Sequence, residues 1–334
     1  MIDRTGPCFI SNAMSKVRIS SKRSDPGFPE ASELIHHVSS RIMMDLPLIN
    51  EVARDEFIKQ LKIGIRFSGV RVLAYVIMPD HFHLIVAVSA KSEGVLDEKE
   101  FFKRIGPTLN RQALAELKTA WKSAGKAKRK ELQKPFLARM NDLSEFMRNL
   151  VQRMTRFINR ERGKKGTLWQ SRFRSSIIEE GLTTKAVSAY LHTNPVRSGL
   201  VDHPADYEWS SFAKARKTER ALAIQSSLFS LKHRKPVPRK SIKKLESDLA
   251  ELSPKFSDQD LAMTEAVSQT IRHFIDGLIV GSEDFVNRIF KANRDYFSEA
   301  RTSGARRPMG PLKLLKGEIQ TARALQQGVY ERKS

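Results

Sequence analysis

The sequence predicts an α+β fold with helices on one face of an antiparallel sheet, and three observations support this class. Segments rich in β-branched and aromatic residues alternate with segments whose apolar residues recur at helical spacing. Two of the strand-like segments are joined by a turn of only a few residues, as in an antiparallel hairpin. The chain has 334 residues, of which 40% are apolar, so it can bury a core.

The first predicted elements are a strand, a helix and a hairpin. Residues 34–41 alternate moderately between apolar and polar side chains and predict the first strand. Apolar residues at helical spacing predict a helix over residues 51–67. Residues 70–78 and 81–88 predict two further strands. The Met-Pro-Asp turn between them closes a hairpin, because proline fixes φ and aspartate favours turns.

A helical insertion is predicted after the hairpin. Residues 91–140 are dominated by Ala, Lys, Glu and Leu, which favours helices with a solvated face over further strands. Asp142 and Glu145 then resemble a capping box, so we expect a long helix from this point to about residue 162.

The next elements are a strand and a short helix. Residues 169–178 predict the strand, and residues 184 to about 194 predict a helix that Pro195 stops. The order is therefore strand, helix, hairpin, helix, strand, helix. Antiparallel strands with helices on one face in this order predict a ferredoxin-like sandwich.

Composition divides the chain into four parts. Residues 1–30 mix Ser, Pro, Gly and charged residues without periodicity and predict a flexible arm. Residues 31–215 carry the predicted sheet and its helices. Residues 216–242 are rich in Ser, Lys and Pro and predict a basic linker. Helical periodicity returns over about residues 243–297, and we expect residues 243–334 to form a basic helical extension.

The charge of the chain predicts a polyanionic partner. There are 59 Lys and Arg against 37 Asp and Glu, a formal net charge of +22. The net charge is +2 over residues 1–90, +11 over 91–215 and +9 over 216–334, so the excess lies in the last two thirds. Nucleic acid is the favoured partner, and a solvated basic surface is the alternative. No amphipathic helix with an aromatic membrane-facing side accompanies the charge.

Composition also excludes several classes of protein. The single cysteine, Cys8, excludes an internal disulfide and a cysteine-based zinc knuckle. No apolar run approaches the roughly 18 residues of a membrane-spanning helix, and the first residues lack the apolar block of a secretory signal. We therefore expect a cytoplasmic, nucleoid-associated protein that does not act at a membrane.

Two histidines of the hairpin are candidate metal ligands. Residues two apart on a strand point to the same face, so His81 and His83 project together while Phe82 faces the core. Imidazole nitrogens are common ligands of divalent metal ions, and two of them form an incomplete site. The alternative is a pair of surface histidines on a hairpin.

Tyr190 is a candidate nucleophile. A tyrosine beside a metal ion and an arginine can attack an electrophile covalently. Asn194 shares its helix face four residues on and is a candidate third ligand, although the following Pro195 places it at the predicted helix end. The alternative for Tyr190 is a half-buried core residue.

A basic stretch follows the insertion. Residues 148–174 hold nine Lys or Arg and one acid, interleaved with aromatic residues. Such a pattern suits single-stranded nucleic acid, and the alternative is a solvated helix face. We expect DNA contacts from eight of these residues and from one later arginine: Arg148, Arg153, Arg156, Arg160, Lys164, Lys165, Arg172, Arg174 and Arg197.

Motifs in three parts of the chain resemble one family. Residues 74–86, AYVIMPDHFHLIV, resemble the HUH signature of the single-tyrosine transposases. Residues 190–201, YLHTNPVRSGLV, and 206–212, DYEWSSF, are similar to the tyrosine segment of one branch, the REP-associated tyrosine transposases. Residues 168–173, LWQSRF, resemble the strand before that segment. The resemblance extends over about residues 34–212, and the insertion departs from the smallest members.

The resemblance implies a ferredoxin-like catalytic domain in which His81 and His83 bind Mg²⁺ or Mn²⁺. Asn194 falls where the family offers a polar third ligand. The resemblance further implies that Tyr190 attacks single-stranded DNA bearing palindromic hairpins and leaves a 5′-phosphotyrosine and a free 3′-OH. Such enzymes transpose DNA or process repeated palindromes, and members occur as monomers and as homodimers. The alternative from another class is a non-catalytic nucleic-acid-binding protein derived from such an enzyme.

Overall fold

The structure is a computed structural model that describes residues 33–43, 48–89, 94–213, 279–292, 294 and 320–322. The predicted arm, the predicted linker and most of the predicted extension lie outside the described residues. Within the described part of the chain, no helix is both long and apolar enough to cross a membrane.

The described residues form six strands and seven α-helices. The strands are β1 (Leu34–Arg41), β2 (Arg71–Ile77), β3 (His81–Val88), β4 (Arg174–Ile178), β5 (Ile279–Gly281) and β6 (Gln320–Ala322). The helices are α1 (Glu51–Ser68), α2 (Glu98–Ile105), α3 (Arg111–Lys122), α4 (Lys126–Leu137), α5 (Leu143–Glu161), α6 (Leu182–Arg197) and α7 (Glu283–Ala292).

The strands form one sheet in the order β2-β3-β1-β4-β5-β6. Strands β1 to β4 pair antiparallel, with β1 between β3 and β4, which is the predicted ferredoxin-like arrangement. Strand β5 then adds to β4 in parallel, and β6 pairs antiparallel with β5. The predicted α+β class is therefore confirmed. Strands β5 and β6 both lie in residues 243–334, so the prediction of a helical extension was wrong for these two segments, because pairing along the edge of β4 is a long-range contact that local periodicity does not show.

Two helices cover one face of the sheet. Phe57 of α1 and Met154 of α5 belong to one buried cluster with Phe82 and Leu84 of β3. The rings of Phe57 and Phe82 are 4.8 Å apart between centroids. The prediction that helices cover one face of the sheet is confirmed for α1 and α5. The residues buried between these helices and the sheet form the larger part of the core.

Helix α6 is an addition on the opposite face. Val187 and Leu191 of α6 belong to a second buried cluster with Ile85 and Ala87 of β3. Because side chains alternate along a strand, the odd-numbered residues of β3 face α6. This alternation decides where the candidate metal ligands point.

The predicted insertion is helical. Helices α2, α3 and α4 enclose a small core of their own that includes Phe101 and Trp121, whose rings stack 5.1 Å apart. Phe67 at the end of α1 joins this cluster and fixes the insertion beside α1 and α5. The predicted start of α5 is also confirmed, since the side chain of Asp142 accepts a hydrogen bond from the N–H of Glu145.

Two predicted boundaries were wrong. A strand was expected over residues 169–178, but only Arg174–Ile178 form one, β4. The N–H of Gln170 still donates to the carbonyl of Arg41, but the residues between Gln170 and β4 leave the register in which β4 pairs with β1. Helix α6 does not stop at Pro195 but continues to Arg197. Proline removes a single N–H there, and the N–H of Ser198 still bonds to the carbonyl of Asn194.

Candidate active site

Polar side chains gather on the α6 face of the sheet, where β3 begins and β1 ends. His83 is paired with Ser39 across the ladder, and His81 is paired with Arg41. His37 lies two residues before Ser39 on β1 and therefore points to the same face. The antiparallel register thus brings three histidines and one arginine together from two strands.

His37 and His83 form a buried contact at the centre of this group. The Nε2 atom of His37 lies 3.0 Å from the Nδ1 atom of His83. Burial lowers the pKa of His37 to about 4. Burial, followed by the positive charges of neighbouring histidines and arginines, holds the pKa of His83 well below its usual range. Both rings are therefore neutral at pH 7, which is the form that binds a metal ion.

His81 is oriented by a charged neighbour. Its Nδ1 lies 2.6 Å from Oδ1 of Asp80, while Oδ2 of Asp80 accepts from Nε and Nη2 of Arg41 at 3.1 and 2.7 Å. Burial raises the pKa of Asp80, but the hydrogen bonds and charges of His81 and Arg41 outweigh it and hold that pKa well below its usual range. An ionised Asp80 accepts the Nδ1 proton of His81 and leaves Nε2 with a free lone pair.

Helix α6 places the predicted nucleophile against this group. The ring of Tyr190 meets the ring of His83 edge to face, with centroids 5.7 Å apart. The guanidinium carbon of Arg197, two turns further along α6, lies 4.8 Å from the centroid of the Tyr190 ring. A phenol, a neutral imidazole and a guanidinium therefore adjoin one another beside the sheet.

The donor set fits a divalent metal ion in part. The hydrogen bond of His81 to Asp80 leaves Nε2 of His81 as an available ligand. Nε2 of His83 becomes a ligand when His83 donates its Nδ1 proton to His37, and the ring centroids of His81 and His83 are 5.1 Å apart. Among the described residues, no group of three His, Cys, Asp or Glu could hold a metal ion. Asn194 is buried on α6, one turn beyond Tyr190, and its role as third ligand stays a prediction.

The predicted DNA-binding residues fall into three groups. Arg174 and Arg197 are close enough to His83 to lower its pKa, so they belong to the candidate active site. The exposed residues Lys164, Lys165 and Arg172 lie in the connection between α5 and β4, which reaches Arg41 through Gln170. The predicted arginines of α5 lie on the helix that covers the other face of the sheet: Arg148, Arg153, Arg156 and Arg160.

Sequence reasoning missed His37, Asp80 and Arg41. A signal for Asp80 was present, because a carboxylate directly before an H-x-H pair can orient the first imidazole. His37 and Arg41 carry no local signal, since their positions beside His83 and Asp80 depend on the pairing of β1 with β3.

No family model and no curated protein matches the chain. Among solved structures, it is similar to one described as "Structure of the REP associates tyrosine transposase bound to a REP hairpin". The match covers 55% of this chain and 79% of that chain, with 14% sequence identity and a TM-score of 0.36. A similarity at this level carries no argument about function, so a functional assignment depends on the geometry of the site itself.

Proposed function

We propose that this protein is a metal-dependent endonuclease and strand transferase that cuts hairpin-bearing single-stranded DNA through Tyr190. The observation that carries the proposal is the contact of Tyr190 with His83, in a group where Asp80 contacts Nδ1 of His81 and His37 contacts Nδ1 of His83. The resemblance of the surrounding motifs to the REP-associated tyrosine transposases supports it independently of the geometry.

His81 and His83 would hold Mg²⁺ or Mn²⁺ through Nε2, and Asn194 is the proposed third ligand. When bound, such an ion polarises phosphate oxygens and offsets the negative charge that develops in the transition state. His37 and Asp80 hold the two imidazoles in the required orientation, each through the Nδ1 atom of its partner.

Tyr190 supplies the attacking oxygen. A bond forms between its Oη and phosphorus while the bond from phosphorus to the 3′ oxygen breaks. The proton that the phenol loses is matched by the proton that the departing 3′ oxygen gains. The products are a 5′-phosphotyrosine and a free 3′-OH, and attack by another 3′-OH reverses the step and joins strands without ATP. Arg197 binds the phosphate beside Tyr190.

The DNA strand reaches the site along basic residues at the same end of the sheet. Arg174 begins β4 beside the histidines, and Arg172, Lys164 and Lys165 continue the positive charge along the exposed connection from α5. This path supports a single-stranded substrate, because flexible strands can follow a curved basic surface. The proposed roles are DNA transposition or the processing of repeated palindromes, in a nucleoid-associated protein that is a monomer or a homodimer.

Labelled hairpin oligonucleotides test the proposal. Single-stranded hairpins with 5′ or 3′ label are incubated with the protein in Mg²⁺, Mn²⁺ or EDTA and resolved on a denaturing gel. We expect a metal-dependent band in which the downstream fragment stays attached to protein. Tight binding without any adduct, over a broad pool of hairpins, would contradict the proposal and favour a non-catalytic nucleic-acid-binding protein.

A further inference from the structure

A cleft lies on the opposite side of the sheet from Tyr190. It is formed by α1, α5 and the helical insertion, and it has a volume of about 160 Å³. This is roughly ten times the space of about 10–15 Å³ that a cavity needs to hold one water molecule. The proposed cleavage reaction does not use this cleft, and the insertion supplies one of its walls.

Three arginines line the cleft. Arg139 is held by Glu145 and by Oδ1 of Asn149, and Arg153 donates to Oε1 of Gln60 at 3.3 Å. The side chain of Arg156 makes no hydrogen bond or ion pair within the part of the chain that the structure describes. None of the described lining residues is acidic.

The positive charges of the cleft are close enough to affect one another. Burial, followed by the charges of Arg156 and Arg139, lowers the pKa of Arg153. The closest carboxylate contact in the cleft is that of Glu145 with Arg139, and Glu145 is shared with Arg148 outside it. An anion bound between Arg153 and Arg156 would relieve their repulsion.

The other wall of the cleft is apolar. Ile63 of α1, Leu109 before α3 and Phe136 of α4 line it and are only partly buried. Apolar surface next to arginines suits a nucleotide, whose base packs on apolar side chains while guanidinium groups bind its phosphate. Arginine is better suited than lysine to this role because its planar fork can bind two phosphate oxygens at once.

We propose that this cleft binds one unpaired nucleotide of single-stranded DNA, with the phosphate at Arg153 and Arg156 and the base against Leu109 and Phe136. The choice of DNA as the source of the nucleotide rests on the proposed function. Arg153, Arg156 and Arg160 follow one another along α5, and the connection after α5 leads to Arg174 at the active site. The cleft is thus a second anchor for the strand that Tyr190 cuts.

Binding of a labelled oligothymidylate tests this site separately from cleavage. The measurement uses full-length Tyr190→Phe protein in EDTA, so neither the nucleophile nor a metal ion contributes. We expect Arg156→Gln to weaken binding about tenfold, since a charge-assisted hydrogen bond is lost. The slope of log affinity against log salt should fall by about 0.7. Arg66→Gln, an exposed arginine on α1 that does not line the cleft, should change neither value.

Equal effects of Arg156→Gln and Arg66→Gln would overturn the proposal. A second measurement locates the base directly, with a photoreactive 5-iodouracil in the oligonucleotide. Cross-links should fall on peptides around Leu109 or Phe136, and cross-links confined to α6 would contradict the assignment. Free thymidine monophosphate should displace the labelled oligothymidylate less effectively than unlabelled oligonucleotide does. Equal displacement would show that the cleft binds a free nucleotide and not a DNA strand. Adduct formation by the wild-type protein is measured separately. A failure of the proposed cleavage reaction is therefore distinguished from a failure of nucleotide binding in the cleft.

Discussion

The imidazoles of His37 and His83 lie nearly parallel, at an angle of 17°, and are joined by a contact of 3.0 Å between Nε2 and Nδ1. They come from neighbouring strands, and both are buried. Because both rings are neutral, the contact is a single hydrogen bond whose direction selects the tautomer. When His83 donates from Nδ1, its Nε2 becomes a ligand, so His37 decides how well His83 can bind a metal ion.

We predict that His37→Gln weakens Mn²⁺ binding by roughly 10- to 100-fold without abolishing it. The reason is that His83 loses the partner that fixes its tautomer. Calorimetric titration of the Tyr190→Phe protein with Mn²⁺ measures the change apart from cleavage. His36→Gln is the matched control, because His36 is equally buried but points to the other face and contacts Ser175. Equal Mn²⁺ affinities in the two variants would refute the role of His37.

We predict that Asp80 stabilises the fold above pH 4 and that this contribution is lost in acid. Its pKa in the folded protein lies below the value of about 3.9 in an unfolded chain, so the stabilisation is complete above that value. It disappears as the pH falls through the folded pKa. Denaturant titrations measure the free energy of unfolding at pH 7 and pH 3, and the loss between the two should be smaller for Asp80→Asn than for Asp55→Asn. Asp55 is the control because its carboxylate accepts from Trp209 in an exposed position. The same difference in both variants would contradict this role of Asp80.

The buried histidines also predict a pH dependence of stability, in a higher pH range than Asp80. Burial lowers the pKa of His36 and His192 to about 4 each, from an ordinary value of 6.5. The unfolded chain therefore binds more protons below pH 6.5, and the free energy of unfolding should fall as the pH drops from 6.5 towards 4. His192→Gln should lessen this fall in denaturant titrations. The exposed His203→Gln should leave it unchanged, and an equal effect of both would count against the buried, neutral state of His192.

The elements closest to the site were predictable from local pattern. Strands β1 and β3 have the bounds that alternation predicts, and Asp142 begins α5 because its side chain caps the helix. The H-x-H spacing placed His81 and His83 on one face. These features depend on residues close together in sequence, so periodicity and capping chemistry were sufficient to predict them.

Other features depend on long-range pairing. The sequence showed that His37 lies on a strand, but its contact with His83 follows from the register that pairs Ser39 with His83. The same applies to Asp80, which was assigned to a turn and also binds Arg41 from the neighbouring strand. The placement of α6 on the opposite face of the sheet from α5 likewise depends on tertiary packing. This placement separates Tyr190 from the arginines of α5.

Arg197 gives a prediction about the reaction itself. Arg197→Gln should slow adduct formation on a labelled hairpin by at least about tenfold, because a charged hydrogen-bond donor beside the phosphate is removed. Arg197→Lys should restore part of the rate, since it keeps the charge but not the planar fork. Mn²⁺ affinity should be unchanged in Arg197→Lys, which separates phosphate binding from the metal site. Rates of both variants equal to that of the wild-type protein would exclude Arg197 from the reaction.

The decisive experiment on Tyr190 measures the mass of the peptide that contains it after reaction with a hairpin oligonucleotide. Protein and oligonucleotide are mixed with Mn²⁺, digested with protease and nuclease, and analysed by mass spectrometry. We expect a nucleotide attached through its 5′ phosphate to Tyr190, absent in EDTA and absent in the Tyr190→Phe protein. An adduct that persists in Tyr190→Phe, or that maps to another residue, would show that Tyr190 is not the nucleophile.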